Sequence, residues 1–273
     1  MTSPLIDAAD LATFLGEVTV LDVRYRMGGP SGPDEVAAGH VPGASYVDLD
    51  VELAAPPGPR GRHPLPDPEV FAAAMRRAGV RGDRPVVVYD DWASHAAARC
   101  WWLLRFHGHG DVRVLDGGWS AWVAAGGPVA TGASGPVVPG DFIARPGAMP
   151  AVNVAGVPEV DVLVDARAPE RYRGEVEPID PVAGHIPGAV NVPTARNLDG
   201  DGRFLDAARL AALYAEVGVV PDADVAVYCG SGVTAAHDVL ALEVAGIRAA
   251  LYPGSWSEWV ADPDRPVVTS ARP

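Results

Sequence analysis

One cysteine in this chain stands where a reactive thiol can be built. The segment reads Tyr228-Cys229-Gly230-Ser231-Gly232-Val233-Thr234-Ala235-Ala236-His237. The apolar run Val225 to Tyr228 ends at Cys229, and a helix is expected to begin near Thr234. Gly230 and Gly232 allow a tight curve and close backbone approach between them. Such a turn aims several main-chain N–H groups at one spot, and a helix N-terminus adds partial positive charge there. A thiolate is an anion that this spot would stabilise, so Cys229 is expected to be a nucleophile. The other reading of an isolated cysteine is an inert core thiol. That reading suits Cys100, which lies in the apolar stretch Ala96 to Leu104.

Composition narrows the chemistry further. All 21 basic residues are arginine, so no lysine is present to bind anions or form a Schiff base. A formal net charge of -14 argues against nonspecific binding to nucleic acid or an anionic membrane. Cys100 and Cys229 fall in different halves, so no intradomain disulfide is expected and a reducing, cytoplasmic setting suits them. Met1 to Asp10 lacks a basic, then apolar, signal-peptide pattern, and no apolar run reaches the roughly 18 residues of a membrane span. His107, His109 and Cys100 do not make a metal-site pattern, and neither a metal nor a cofactor is expected.

The elements that position Cys229 occur twice. Leu21-Asp22-Val23-Arg24 recurs as Val164-Asp165-Ala166-Arg167, and Gly39-His40-Val41-Pro42-Gly43-Ala44 as Gly184-His185-Ile186-Pro187-Gly188-Ala189. Val86-Val87-Val88-Tyr89 recurs as Val225-Ala226-Val227-Tyr228, and Gly117-Gly118-Trp119-Ser120-Ala121-Trp122 as Gly254-Ser255-Trp256-Ser257-Glu258-Trp259. Four blocks in one order, about 140 positions apart, indicate domain duplication. The first domain is expected at about 1–130, a Gly/Pro/Ala-rich linker at 131–154, and the second domain at 155–273. A short strand is expected over Phe142-Ile143-Ala144 in the linker.

Within each half, buried strands alternate with alanine-rich helices. Strands are expected at Thr19 to Val23, Val86 to Tyr89, Arg113 to Leu115, Val162 to Asp165, Val225 to Tyr228 and Ala249 to Tyr252. Helices are expected at Pro68 to Ala78, Ala93 to Phe106, Ala207 to Val217 and Thr234 to Ala245. Alternation of this kind implies an α/β fold with mostly parallel sheets flanked by helices, and such sheets hold ligands at the C-terminal ends of their strands. Cys229 occupies that position. Repetition of Trp119, Trp122, Trp256 and Trp259 in both halves, with a cysteine loop in one alone, points to packing roles. His185 reads as structural, and Asp22 and Asp165 as partners of nearby arginines.

Cys229-Gly-Ser-Gly-Val-Thr-Ala resembles the active-site loop of the rhodanese superfamily in its 3-mercaptopyruvate sulfurtransferase form, and the duplicated blocks are similar to that family over nearly the whole chain. The resemblance implies two tandem rhodanese-like domains and a persulfide on Cys229, cradled by the amides of Gly230, Gly232, Val233 and Thr234. Sulfur would come from 3-mercaptopyruvate or thiosulfate and pass to cyanide, a small thiol or thioredoxin. Asp90 stands where the first half would carry its cysteine, which implies a catalytically inactive first domain. The neutral Gly230 and Ser231 favour 3-mercaptopyruvate, because relatives preferring thiosulfate carry basic residues there. The resemblance also implies a proton relay of Ser231, the first-domain His40 and an acidic residue, for which Asp34 is nearest. Ser231 as a plain turn residue and His40 as a turn cap are the bland alternatives. Arg171 matches the family's carboxylate-binding arginine; a second falls at Ile179, leaving Arg173 as a stand-in.

Three other readings compete. Thiosulfate:cyanide sulfurtransferase is the nearest. A cysteine phosphatase on this fold would need an arginine where Ala235 stands. A non-catalytic binding module would have no use for an intact cysteine loop.

Overall fold

Strands here are runs apolar on both faces, and alanine-rich helices cover them. The computed structural model describes residues 3–135 and 137–270, which form two compact units. The expected domain ends at residues 1 and 273, and Pro136 of the expected linker, lie outside the described residues.

Unit 1 comprises Met1–Ala55, Pro66–Met149 and Asp201–Arg203. Its strands are β1 (Leu5–Ile6), β2 (Thr19–Asp22), β3 (Ser45–Tyr46), β4 (Val86–Tyr89) and β5 (Val112–Leu115), in the order β1-β5-β4-β2-β3 and all parallel. Its helices are α1 (Ala8–Phe14), α2 (Gly32–Ala38), α3 (Leu49–Glu52), α4 (Pro68–Arg77), α5 (His95–Phe106) and α6 (Gly118–Ala124). The central strand β4 is Val-Val-Val-Tyr, buried throughout, as a strand covered on both faces requires. Cys100 is fully buried in α5, and burial pushes its thiol pKa well up, as fits an inert core thiol.

Unit 2 comprises Pro56–Leu65, Pro150–Gly200 and Phe204–Pro273. Strands β6 (Val162–Asp165), β7 (Val190–Asn191), β8 (Val225–Tyr228) and β9 (Ala250–Leu251) form a parallel sheet in the order β7-β6-β8-β9. Its helices are α7 (Pro169–Tyr172), α8 (Ala207–Ala215), α9 (Ala235–Val244) and α10 (Ser255–Trp259). Among the described residues no helix is long and apolar enough to cross a membrane.

Two features depart from the expected organisation. Residues Phe142 to Ala144 form no strand. Their stretch bonds instead to the ends of helices: Phe142 N to Val80 O at 3.3 Å, Arg145 N to His107 O at 2.9 Å and Ala148 N to Phe106 O at 3.0 Å. The expected linker up to Met149 is thereby part of unit 1, while Pro56–Leu65, from the expected first domain, belongs to unit 2.

The duplicated blocks make the same polar lock in each unit. Arg24 grips Asp22 (Nη2 to Oδ2 2.7 Å), donates to Gly39 O at 2.6 Å and lies 5.0 Å from the Trp119 ring centre. Arg167 grips Asp165 at 2.6 Å, donates to Gly184 O at 2.7 Å and lies 4.6 Å from the Trp256 ring centre. The hydroxyl of Tyr89 donates to Asp22 and accepts from Val41 N; that of Tyr228 accepts from Ile186 N. These buried pairs fasten each Gly-His turn to its strands.

Candidate active site

Cys229 is the first residue beyond β8, at the C-terminal end of a strand in the middle of its sheet. It is almost fully buried, and its Sγ accepts the N–H of Gly232 at 3.1 Å. Gly232 has φ +77°, and a Cβ there would lie 2.3 Å from Pro253 O, so only glycine lets the loop turn this tightly. Thr234 is the N-cap of α9, so the loop runs directly into that helix. Val233, within the loop, is buried.

The Gly-Ser-Trp-Ser block holds this loop from the outside. Ser255 Oγ accepts Cys229 N at 3.1 Å and donates to Tyr252 O at 2.9 Å. The amides of Trp256 and Ser257 donate to Cys229 O and Gly230 O at 3.0 and 2.9 Å. The tryptophans pack, and Ser255 and Ser257 on either side of Trp256, which carry no chemical signature in sequence, position the thiol's backbone.

Pro56–Leu65 brings the site two side chains from far away in sequence. Gly58 and Gly61 close a tight turn through paired amide bonds of 3.1 and 3.0 Å. Gly61, at φ +102°, comes so near Gly254 O that a Cβ would sit 2.7 Å from it. Arg62 N then donates to Ser257 Oγ at 3.0 Å. This anchoring delivers His63, whose Nδ1 lies 2.7 Å from Ser231 Oγ. It also delivers Arg62, whose Nη1 donates to Asp180 Oδ1 at 2.6 Å.

Arg171 lies beside Arg62. A Cβ on Gly230 would be 3.1 Å from Arg62 Nη2 and 3.5 Å from Arg171 Nη1, so both guanidinium groups face the residue after Cys229. Arg171 Nη2 is held by Glu177 Oε1 at 2.7 Å and by Asp180 Oδ2 at 3.3 Å. Burial pushes the Glu177 carboxyl pKa up, but hydrogen bonds from Arg171 and from the Asp180 and Ile179 amides outweigh it. The carboxyl is thus held below its usual range. Paired guanidinium groups beside a thiol make a seat for a small anion.

The structure brings Cys229, Gly230, Ser231, Gly232, Val233, Thr234 and Arg171 together in unit 2, while the expected His40 belongs to unit 1. His40 is buried in unit 1, its Nδ1 2.9 Å from Val36 O and its backbone paired with Ala130. His185 has the matching bonds in unit 2, to Tyr172 O at 2.8 Å and to Val268. The two histidines of the repeat thus share one task, bracing a turn, and Ser231 meets His63 instead. Asp34 is exposed in the first turn of α2 in unit 1. Arg173 is a surface residue paired with Glu175 at 2.7 Å. The second guanidinium comes from Arg62, and the one signal for it was its Gly61-Arg62 pair, which recurs as Gly202-Arg203 at the matching place in the second half.

Unit 1 has the same loop with an anion already inside it. Asp90 follows β4 as Cys229 follows β8; its Oδ1 accepts the amides of Trp92 and Ser94, and its Oδ2 that of Ala97, each at 2.9 Å. Burial raises its pKa to about 6, against the pull of those three amides. The loop of unit 1 is filled by its own side chain.

Residues 7–125 and 153–262 each match the Rhodanese-like domain family. A Mycobacterium tuberculosis protein named for thiosulfate sulfurtransfer, SseB, is 48% identical over 273 residues, covering 96% of each chain. The 3-mercaptopyruvate sulfurtransferase of Escherichia coli is 37% identical, covering 97% of this chain and 98% of its own. The crystal structure of SseA from Escherichia coli, described as a 3-mercaptopyruvate sulfotransferase, superposes with a TM-score of 0.83 at 34% identity, covering 94% of this chain and 100% of that one. The chain belongs to the rhodanese family, as a tandem-domain sulfurtransferase.

Proposed function

We propose that this sulfurtransferase takes sulfur from 3-mercaptopyruvate as a persulfide on Cys229. The Cys229 thiolate attacks the donor's sulfur. A sulfur–sulfur bond forms as the carbon–sulfur bond breaks, and its electron pair leaves on carbon as the enolate of pyruvate. That enolate takes up one proton, balancing the one lost from the Cys229 thiol, and Ser231 with His63 carries it. Arg62 and Arg171 bind the donor's carboxylate. The Gly232 amide, with the other loop amides, supports the persulfide. An acceptor nucleophile (cyanide, a small thiol or reduced thioredoxin) then removes the outer sulfur and frees Cys229 as thiolate. The first unit is catalytically silent, because a carboxylate at Asp90 forms no persulfide. Both cysteines are free thiols, which supports the cytoplasm as the setting.

The observation that carries the choice of donor is the 2.7 Å contact of His63 with Ser231, two residues after Cys229. An enolate leaving group needs a proton, whereas sulfite leaving thiosulfate does not. The second reading, thiosulfate as donor, is supported by the paired guanidinium groups facing Gly230. Mass spectrometry after donor treatment should find one added sulfur on Cys229, absent in Cys229→Ser. A higher kcat/KM with thiosulfate than with 3-mercaptopyruvate would reverse the order of the two donors. Sulfur transfer retained by Cys229→Ser would refute the mechanism.

A further inference from the structure

The anion seat is already neutralised before a donor arrives. Asp180 lies between the two arginines, 2.6 Å from Arg62 and 3.3 Å from Arg171. Glu177 binds Arg171 at 2.7 Å and Arg167 at 3.4 Å, and Arg167 binds Asp165 at 2.6 Å. Three guanidinium groups thus meet three carboxylates in one connected row. Both Asp180 and Glu177 are buried to 4% side-chain exposure, whereas Arg62 and Arg171 keep 24% and 17% and face the loop. A donor entering beside Gly230 therefore meets hydrogen-bond donors with little net positive charge behind them. Such a seat suits one planar carboxylate, which a guanidinium fork matches. A compact dianion gains less there, because each negative charge on it is also opposed by a buried carboxylate at close range.

We propose that Asp180 is a specificity-determining residue, which tunes the Arg62–Arg171 pair so that a monocarboxylate thiol donor is preferred over the dianion thiosulfate. This rests on Cys229 being the sulfur acceptor. Asp180 acts through the arginines and is a positioning residue, with no contact to the reacting sulfur required.

The test compares Asp180→Asn and Arg62→Gln with the unaltered chain, measuring kcat/KM for thiosulfate and for 3-mercaptopyruvate with cyanide as acceptor. Asp180→Asn keeps an oxygen for Arg62 but removes one negative charge. It should raise the thiosulfate to 3-mercaptopyruvate ratio by about tenfold or more, the scale of one unit charge near contact distance. Arg62→Gln removes a positive charge and should lower the same ratio. A purely structural role would depress both donors together and leave the ratio in place. Unchanged ratios in both variants, or shifts in the same direction, would overturn the proposal while leaving persulfide formation on Cys229 intact. If Asp180→Asn fails to fold, the direction of the shift in Arg62→Gln decides. Failure of both donors to load sulfur on Cys229 in the unaltered chain would refute the reading of the site itself, and it would be seen before any substitution is made.

Discussion

The hydroxyl of Ser255 lies 3.1 Å from the backbone nitrogen of Cys229, and Ser255 holds a left-handed φ of +53° to place it there. The corresponding residue of unit 1 is Gly118, at φ +58°. A side chain in that conformation costs on the order of 1 kcal/mol, which glycine avoids. Unit 2 keeps a serine because its oxygen ties Cys229 N to Tyr252 O. Ser255→Gly should leave stability nearly unchanged, the relieved strain offsetting a lost hydrogen bond of about 1 kcal/mol. Its kcat for sulfur transfer should fall about 5- to 10-fold, because the loop is less well held. Ser255→Ala keeps the strain and loses the bond, so it should also lower the denaturation midpoint.

His63 and His40 separate cleanly. His63→Gln should reduce kcat/KM with 3-mercaptopyruvate about 100-fold, the usual scale of a lost proton carrier. Its effect with thiosulfate should be much smaller, since sulfite leaves without a proton. His40→Gln should instead weaken unit 1 by about 1 kcal/mol through its bond to Val36 O, with turnover kept within about twofold. Steady-state rates with both donors and urea denaturation of both variants check this pair.

Asp90 gives unit 1 a pH-dependent stability. Burial raises its folded pKa to about 6, from an ordinary value of 3.8. Between those values the folded chain binds more protons than the unfolded one. The contribution is fully present below the lower value and is lost as pH rises through about 6. About two units corresponds to roughly 3 kcal/mol at most. Unfolding of unit 1, followed by urea titration, should have a higher midpoint at pH 5 than at pH 7. In Asp90→Asn, which does not titrate, that part of the difference should vanish. An identical pH dependence in both proteins would sink the assignment.

Glycines 230 and 232 should fail in different ways. Gly232→Ala forces a side chain at φ +77° to within 2.3 Å of Pro253 O, so the loop must open. Transfer should be lost and unit 2 destabilised by more than about 2 kcal/mol. Gly230→Ala puts a methyl 3.1 Å from Arg62 Nη2, at the mouth of the anion seat and against side-chain ends, not backbone. Its KM should rise several-fold with little loss of stability. Crossing the two variants in one assay of rate and denaturation distinguishes turn geometry from donor binding.

Local chemistry determined much of this protein in the sequence itself. A strand such as Val225–Tyr228 is visible because burial on both faces demands an unbroken apolar run, and Cys229 follows from the strand–glycine-turn–helix order. Asp90 as the positional counterpart of Cys229 follows from the duplicated blocks, since repeats align residues of equivalent backbone position. Who meets Ser231 was decided only by tertiary structure. His63 is 168 positions away in the chain, on a proline- and glycine-rich segment with no periodicity to report its path. That segment joins unit 2 because Gly61 alone fits against Gly254 O and Ser257 accepts Arg62 N. The same packing sets Arg62 and Arg171 around Asp180, a pairing of charges that depends on distance through space, which residue order does not encode.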